Sequence, residues 1–274
     1  MQDLPFATGI AVQDYLCAED GAIRAHESGC SHWFVDVSLP SDLVALWPPE
    51  RRAVLCRLSG RLGVRPILHG NFRVPFASEV PELADAALTY ADAELALAAE
   101  LGAPLILHGG VLVEPRPTDS GRAAALQRFL HSMERVLDMA RRYNVEVWVE
   151  NLAHYPRYRP FSYVFTRHVD YMVARDFLPE LHYILDVGHA NVNQRPHLAV
   201  FADFKRSIRA ISISDNDGES DSHLSVGRGT APIEPLVANI RAESWSGVVA
   251  FETRDAPVAD GVAKLREFWE ASGP

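Results

Sequence analysis

A single-domain (β/α)8 barrel spanning residues 1–274 is the fold this sequence predicts, and three observations predict it. Eight short apolar runs alternate with longer amphipathic stretches. Their spacing is even along the chain, and no glycine-rich phosphate turn follows the first run. A doubly wound open sheet is the alternative architecture; the even spacing and the missing turn favour the closed form.

The runs are FATGIAV (6–12), HWFVDV (32–37), RPILHG (65–70), PLILHG (104–109), VEVWVE (145–150), HYILDV (182–187), RAISISD (209–215) and GVVAFET (247–253). Most are continuously apolar, as expected of parallel strands covered on both faces. Helical periodicity fills the gaps. Residues 82–103 carry it up to a glycine, and residues 120–144 carry it furthest, with Arg141 and Arg142 placed to complement the dipole of the last turn. Shorter helices are predicted at 18–29, 48–63, 165–177, 196–208, 232–244 and 257–271. Pro48, Pro49, Pro232 and Pro257 suit helix starts.

Composition narrows the function. The net charge of −10 argues against a nucleic-acid surface, which needs clustered Lys and Arg. The only lysines are Lys205 and Lys264, both in helical stretches, which argues against Schiff-base chemistry. Three cysteines, Cys17, Cys30 and Cys56, form no CxxC pair and suit a reducing compartment. No run approaches the ~18 apolar residues of a membrane span, and the first residues lack a basic, apolar leader. A cytoplasmic protein is expected, with no membrane partner.

In this architecture chemistry gathers at the C-terminal ends of the strands. The third run ends at His69, the fourth at His108, the fifth at Glu150. The sixth offers Asp186 and His189, the loop after the seventh carries Asp221 and His223, and the eighth ends at Glu252. Each has an ordinary explanation alone: a hydrogen-bonded histidine, a glutamate ending an apolar run, an aspartate capping a turn. Six consecutive strands ending this way would place several carboxylates in one mouth. Buried like charges are costly without a neutralising cation, and a divalent metal is the simplest one. The segment 215–221 is not an EF-hand, because its glycine stands fourth rather than sixth. No GxSxG, Walker or HExxH pattern is present.

Together, HG on the fourth run, VEN on the fifth, LDVGHA on the sixth, DNDGESDSHLSVGRG after the seventh and FET on the eighth resemble the xylose-isomerase-like TIM-barrel superfamily. The resemblance covers the chain from about residue 65 to the end. That superfamily includes sugar and sugar-phosphate isomerases and epimerases, inosose dehydratases and the endonuclease IV enzymes. The resemblance implies that Glu150, Asp186 and Glu252 hold a central metal, that His69 and His108 form a second group sharing Glu150, and that His189, Asp221 and His223 form a third. The superfamily usually has a histidine on the seventh strand where this chain has Ser212, and an acid where it has Arg228.

The expected activity is a divalent-metal-dependent isomerase, epimerase or related lyase acting on a small sugar, polyol or sugar phosphate. Glu150 and Glu252 would exchange a proton through an enediolate. The donor set admits Mn²⁺, Mg²⁺, Zn²⁺, Co²⁺ or Fe²⁺. Arg73, Arg228 and Arg254 are candidate clamps for an anionic substrate group, and Asn151 is a candidate to orient Glu150 or a substrate hydroxyl. Two alternatives stand beside this: a multinuclear phosphoester hydrolase, and a barrel that has lost catalysis but still binds metal or sugar. Residues 154–163, with Arg157 and Arg159, read as a lid or a surface excursion. The substrate, the metal count and the oligomeric state stay open, a homo-oligomer included.

Overall fold

Successive residues of a β-strand face opposite ways, and here that alternation sorts the chain into a barrel interior and an outer layer. The computed structural model describes residues 4–11, 17–113, 119–154 and 161–273. Its strands are β1 (Ala7–Ile10), β2 (His32–Asp36), β3 (Arg65–His69), β4 (Leu105–His108), β5 (Val111–Val113), β6 (Val147–Glu150), β7 (Phe161–Tyr163), β8 (His182–Asp186), β9 (Ile208–Ile213) and β10 (Val248–Phe251). The order β1-β2-β3-β4-β6-β8-β9-β10 closes on itself, and every neighbouring pair is parallel. This is the single-domain (β/α)8 barrel that the sequence predicts, and each predicted run overlaps one barrel strand.

The helices are α1 (Ala18–Glu27), α2 (Pro49–Leu62), α3 (Pro81–Leu101), α4 (Asp119–Tyr143), α5 (His168–Phe177), α6 (Val187–Val192), α7 (His197–Phe204), α8 (Ile233–Ala242) and α9 (Val258–Ala271). Pro49 and Pro81 open α2 and α3, where the missing N–H costs nothing, and α3 ends at Gly102 in the left-handed conformation at φ 64°. Besides a 3-10 turn at Val44–Leu46, two features go beyond the predicted elements. The short α6 starts directly at Asp186, and β5 pairs with β7 as an antiparallel ribbon outside the barrel. Among the described residues, no helix is long and apolar enough to cross a membrane.

Two apolar cores result. The larger lies between strands and helices, where Val35, Leu68, Leu107, Val149, Leu185, Ile211 and Phe251 meet the helices. The smaller fills the barrel interior with Ala11, Phe34, Ile67, Ile106, Trp148, Ile184, Ala210 and Ala250. Trp33 belongs to the outer core; it is 1% exposed and its indole N–H donates to the Ala18 carbonyl.

Candidate metal centre at the C-terminal mouth

One step of two residues separates the interior core from the mouth. Phe34, Ile67, Ile106, Trp148, Ile184, Ala210 and Ala250 face inward. The residues two positions later are Asp36, His69, His108, Glu150, Asp186, Ser212 and Glu252. The strand period therefore points these at the mouth. Register sets three pairs side by side, His108 with Glu150, Asp36 with His69 and Asp186 with Ser212, while the stagger of the closed sheet puts His69 beside Ile106, Glu150 beside Ile184 and Ser212 beside Ala250.

Glu150 is the hub. Its Oε2 lies 3.6 Å from Nε2 of both His69 and His108, and its Oε1 lies 3.6 Å from Nδ1 of His189. Two triads, His69–His108–Glu150 and Glu150–Asp186–His189, each present one donor atom per residue within 4.8 Å of the others. The rings of His69 and His108 meet edge to face at 4.6 Å between centroids.

The loop after β9 supplies the third group. Asp215 ties both ends of that loop: its Oδ1 accepts the Asn216 and Ala231 N–H groups and its Oδ2 accepts that of Gly227. His223 sits in the left-handed region at φ 50°, and its Nδ1 donates to the Glu252 carbonyl at 3.0 Å. The Nδ1 of His189 donates to the Asn151 carbonyl at 2.9 Å. Both imidazoles thereby aim Nε2 at Asp221 Oδ2, at 3.3 Å for His189 and 3.0 Å for His223. Gly188 is needed here, because a Cβ would lie 2.3 Å from Ser214 Oγ and 3.1 Å from Asp221 Oδ1.

Charge balance follows from these contacts. Burial opposes protonation of His69, but Asp36 and Glu150 hold its imidazole well above the ordinary value. Burial likewise opposes it at His189, where Asp186 and Asp221 prevail and raise it. Among the described residues His108 pairs with Glu150 alone, and burial lowers it. Glu150 and Asp221 are held well below the usual carboxylate range despite burial, by His108 and His69 for the first and by His189 and His223 for the second. Asp186 goes the other way, raised by burial and by the neighbouring Glu252 and Glu150.

The residues present fit a divalent cation. Nδ1 of His69 and of His108, Glu150 Oε2, Asp221 Oδ1 and Ser212 Oγ are buried without a hydrogen-bond partner. Mixed imidazole and carboxylate donors suit Zn²⁺, Mn²⁺, Co²⁺ or Fe²⁺. The hollow in front of them holds about 280 Å³. Phe34, Phe72, Leu152 and Tyr163 form its apolar wall, and Glu252 and Arg254 line it too.

The other sequence candidates lie as follows. Asn151 is 3% exposed and clamps the end of β8: its Nδ2 donates to the Asp186 carbonyl, and its Oδ1 accepts the Asp186 N–H and the Tyr171 hydroxyl. Arg73 lies over the Phe72 ring and donates to the Ser38 carbonyl. Arg228 is largely exposed and pairs with Asp255 at 3.2 Å. Arg254 alone of the three arginines lines the hollow. Residues 155–160, with Arg157 and Arg159 of the lid reading, lie outside the described residues. Asp36 is absent from the sequence candidates, yet it lies 3.5 Å from His69 Nδ1 and lines the hollow. Its signal is HWFVDV, an acid ending an apolar run on the second strand.

Comparison with known proteins agrees with the fold. The model of the xylose isomerase-like TIM barrel family matches residues 24–271. The chain belongs to that family. Two proteins of Methanocaldococcus jannaschii, both named as uncharacterized, are similar in sequence. MJ1614 is 29% identical over 46% of this chain and 45% of its own, and MJ1311 is 22% identical over 61% and 56%. The chain thus spans about half the length of these curated relatives. Among solved structures, a D-tagatose 3-epimerase-like protein superposes with a TM-score of 0.81 at 17% identity, covering 97% of this chain and 98% of the other. The 3-keto-D-glucoside 4-epimerase YcjR of E. coli gives 0.75 at 18% identity, covering 96% and 99%. The TTHB071 protein of Thermus thermophilus, soaked with ZnCl2, gives 0.75 at 20% identity, covering 98% and 100%. At such identities these likenesses show the fold.

Proposed function

We propose that this family member is a divalent-metal-dependent isomerase or epimerase of a small sugar, polyol or sugar-phosphate-like hydroxy-carbonyl compound. The observation that carries the reading is the placement of Glu150 and Glu252 on one hollow, with cation-competent imidazoles and carboxylates around them. The epimerases among the structural neighbours support it by analogy of fold.

His69, His108, Glu150, Asp186, His189, Asp221, His223 and Glu252 are the residues that would hold cations. A bound cation supplies Lewis acidity that makes a C–H beside a carbonyl easier to ionise. Glu252 is the freer of the two glutamates, with its nearest imidazole at 3.7 Å, whereas Glu150 faces three. Glu252 takes the proton, the C–H electron pair moves toward the carbonyl oxygen, and a cis-enediolate results. Return of a proton to the opposite face inverts the centre, and return to the neighbouring carbon isomerises it; Glu150, ionised at rest, would relay that proton from the protonated His69 imidazole 3.6 Å away. Loss of a β-hydroxyl from the same species would make the enzyme a lyase. Arg254 stands where it would meet an anionic group on the substrate.

A second reading is favoured by the third donor group at Asp221. Three groups of ligands suit multinuclear phosphoester hydrolysis, with no role for C–H chemistry. Proton exchange decides between the two. Ketoses, inososes and their phosphates are incubated with the metal-loaded chain in heavy water. The isomerase reading expects deuterium at a carbon next to the carbonyl, lost in Glu252→Gln even at cation concentrations that saturate the variant. Phosphoester turnover without any C–H exchange would reverse the order.

A further inference from the structure

Glu94 is the only ionisable residue among the buried positions of α3, and it is 0% exposed. A glutamate rarely goes so deep without a charged partner. Its Oε1 accepts the Asn71 backbone N–H at 2.7 Å, and its Oε2 has no hydrogen-bond partner. Burial pushes the carboxyl up to about 8, so it is mainly the neutral acid at neutral pH. A leucine or methionine would pack on this helix face without that penalty. The retained carboxyl therefore calls for an account beyond packing.

Its location supplies one. Asn71 follows His69 and Gly70 at the end of β3. The Gly70 N–H donates to the Ile106 carbonyl, and a Cβ on Gly70 would come 2.5 Å from that oxygen and 3.3 Å from Glu94 Oε1. The same turn continues into Phe72, whose ring meets His108 edge-on at 6.3 Å, and into Arg73, whose N–H donates to Asn71 Oδ1. One carboxyl oxygen thus ties the inner face of α3 to the peptide between a mouth imidazole and the aromatic wall of the hollow.

We propose that Glu94 is a positioning residue: by holding the Asn71 peptide it keeps His69 and Phe72 where His69, His108 and Glu150 share one cation. This rests on the cation-binding reading above. Groups that merely orient a ligand contribute ~10–100-fold to metal affinity.

The test is Co²⁺ binding to the full chain, followed by calorimetry and by the visible absorption of the bound ion. Glu94→Gln keeps an acceptor for the Asn71 N–H; Glu94→Met keeps the volume and removes the acceptor. The Gln variant is expected to bind like the original chain. The Met variant is expected to bind ~10-fold more weakly, with an altered Co²⁺ spectrum. Its thermal midpoint should not fall in step, because an unpaired buried carboxyl has been removed. Equal affinity in the two variants overturns the positioning role and leaves the mouth a cation site. A tenfold loss in the Gln variant overturns it as well, whether or not the Met variant folds. No Co²⁺ uptake by the unsubstituted chain overturns both this inference and the reading it rests on.

Discussion

Two layers of the barrel interior lie one strand repeat apart and have opposite characters. The lower layer, with Phe34, Ile67, Ile106, Trp148, Ile184, Ala210 and Ala250, is one apolar cluster. The upper layer replaces these with Asp36, His69, His108, Glu150, Asp186, Ser212 and Glu252 on the same strands. The lower layer lowers free energy by removing apolar surface from water. The upper layer concentrates carboxylates that repel one another unless imidazolium or a cation stands between them. Apolar packing and ionisable groups are thus separated by a two-residue step, and substitutions in the two layers should have separable consequences.

The largest contrast is expected between Glu150→Gln and Ile184→Ala. Glu150 gives an oxygen to each of two triads. Its substitution should weaken cation binding by more than the ~100-fold upper range for groups that only orient ligands. The thermal midpoint without added metal should change little by comparison. Ile184 is 0% exposed in the lower layer. Its truncation should cost about 2–5 kcal/mol of unfolding free energy in denaturant titration, with cation affinity in the folded fraction nearly intact. Matching losses of both properties in either variant would break the separation.

Acidity gives the next largest effect. The carboxylates facing His69 and His189 hold these imidazoles above their ordinary range, so both carry protons at neutral pH until a cation displaces them. Affinity should therefore be weak below those raised values and climb with pH until they are passed, by up to ~10-fold per pH unit for each proton expelled. Calorimetry in buffers of different ionisation enthalpy counts the protons. A flat profile between about pH 6 and 9 would mean that the imidazoles are not displaced.

The smallest effect concerns Ser212, 0% exposed, with an unpartnered hydroxyl beside Asp186 in the upper layer. Ser212→His would add an imidazole to that layer. If Asp186 and Glu252 bind the central cation, Co²⁺ affinity should rise several-fold; unchanged affinity would count against that assignment.

Much of this molecule can be read without coordinates, and the failures have physical causes. Parallel strands covered on both sides are continuously apolar, so HYILDV and PLILHG stand out, and their polar ends mark the rim. Asp36 has the same signature in HWFVDV, yet its pairing with His69 needs β2 and β3 side by side. Glu94 breaks the apolar stripe of α3 in ELALAAEL, but sequence does not reveal that the Asn71 peptide meets it. The β5–β7 ribbon joins residues far apart in sequence and leaves no local pattern.

The sequence by itself determined the barrel, the order of its units and the ionisable residues that end the strands from β3 onward, Asp36 of β2 excepted, because hydrophobic periodicity and helix punctuation are local properties. Only the tertiary structure decided that Glu150 sits between three imidazoles and that His189 and His223 turn Nε2 toward one aspartate. It also decided that Asn151 clamps the Asp186 backbone and that Arg228 points away to Asp255. These facts depend on closure of the sheet, which brings distant strand ends around one mouth and lets backbone carbonyls select the direction of each ring.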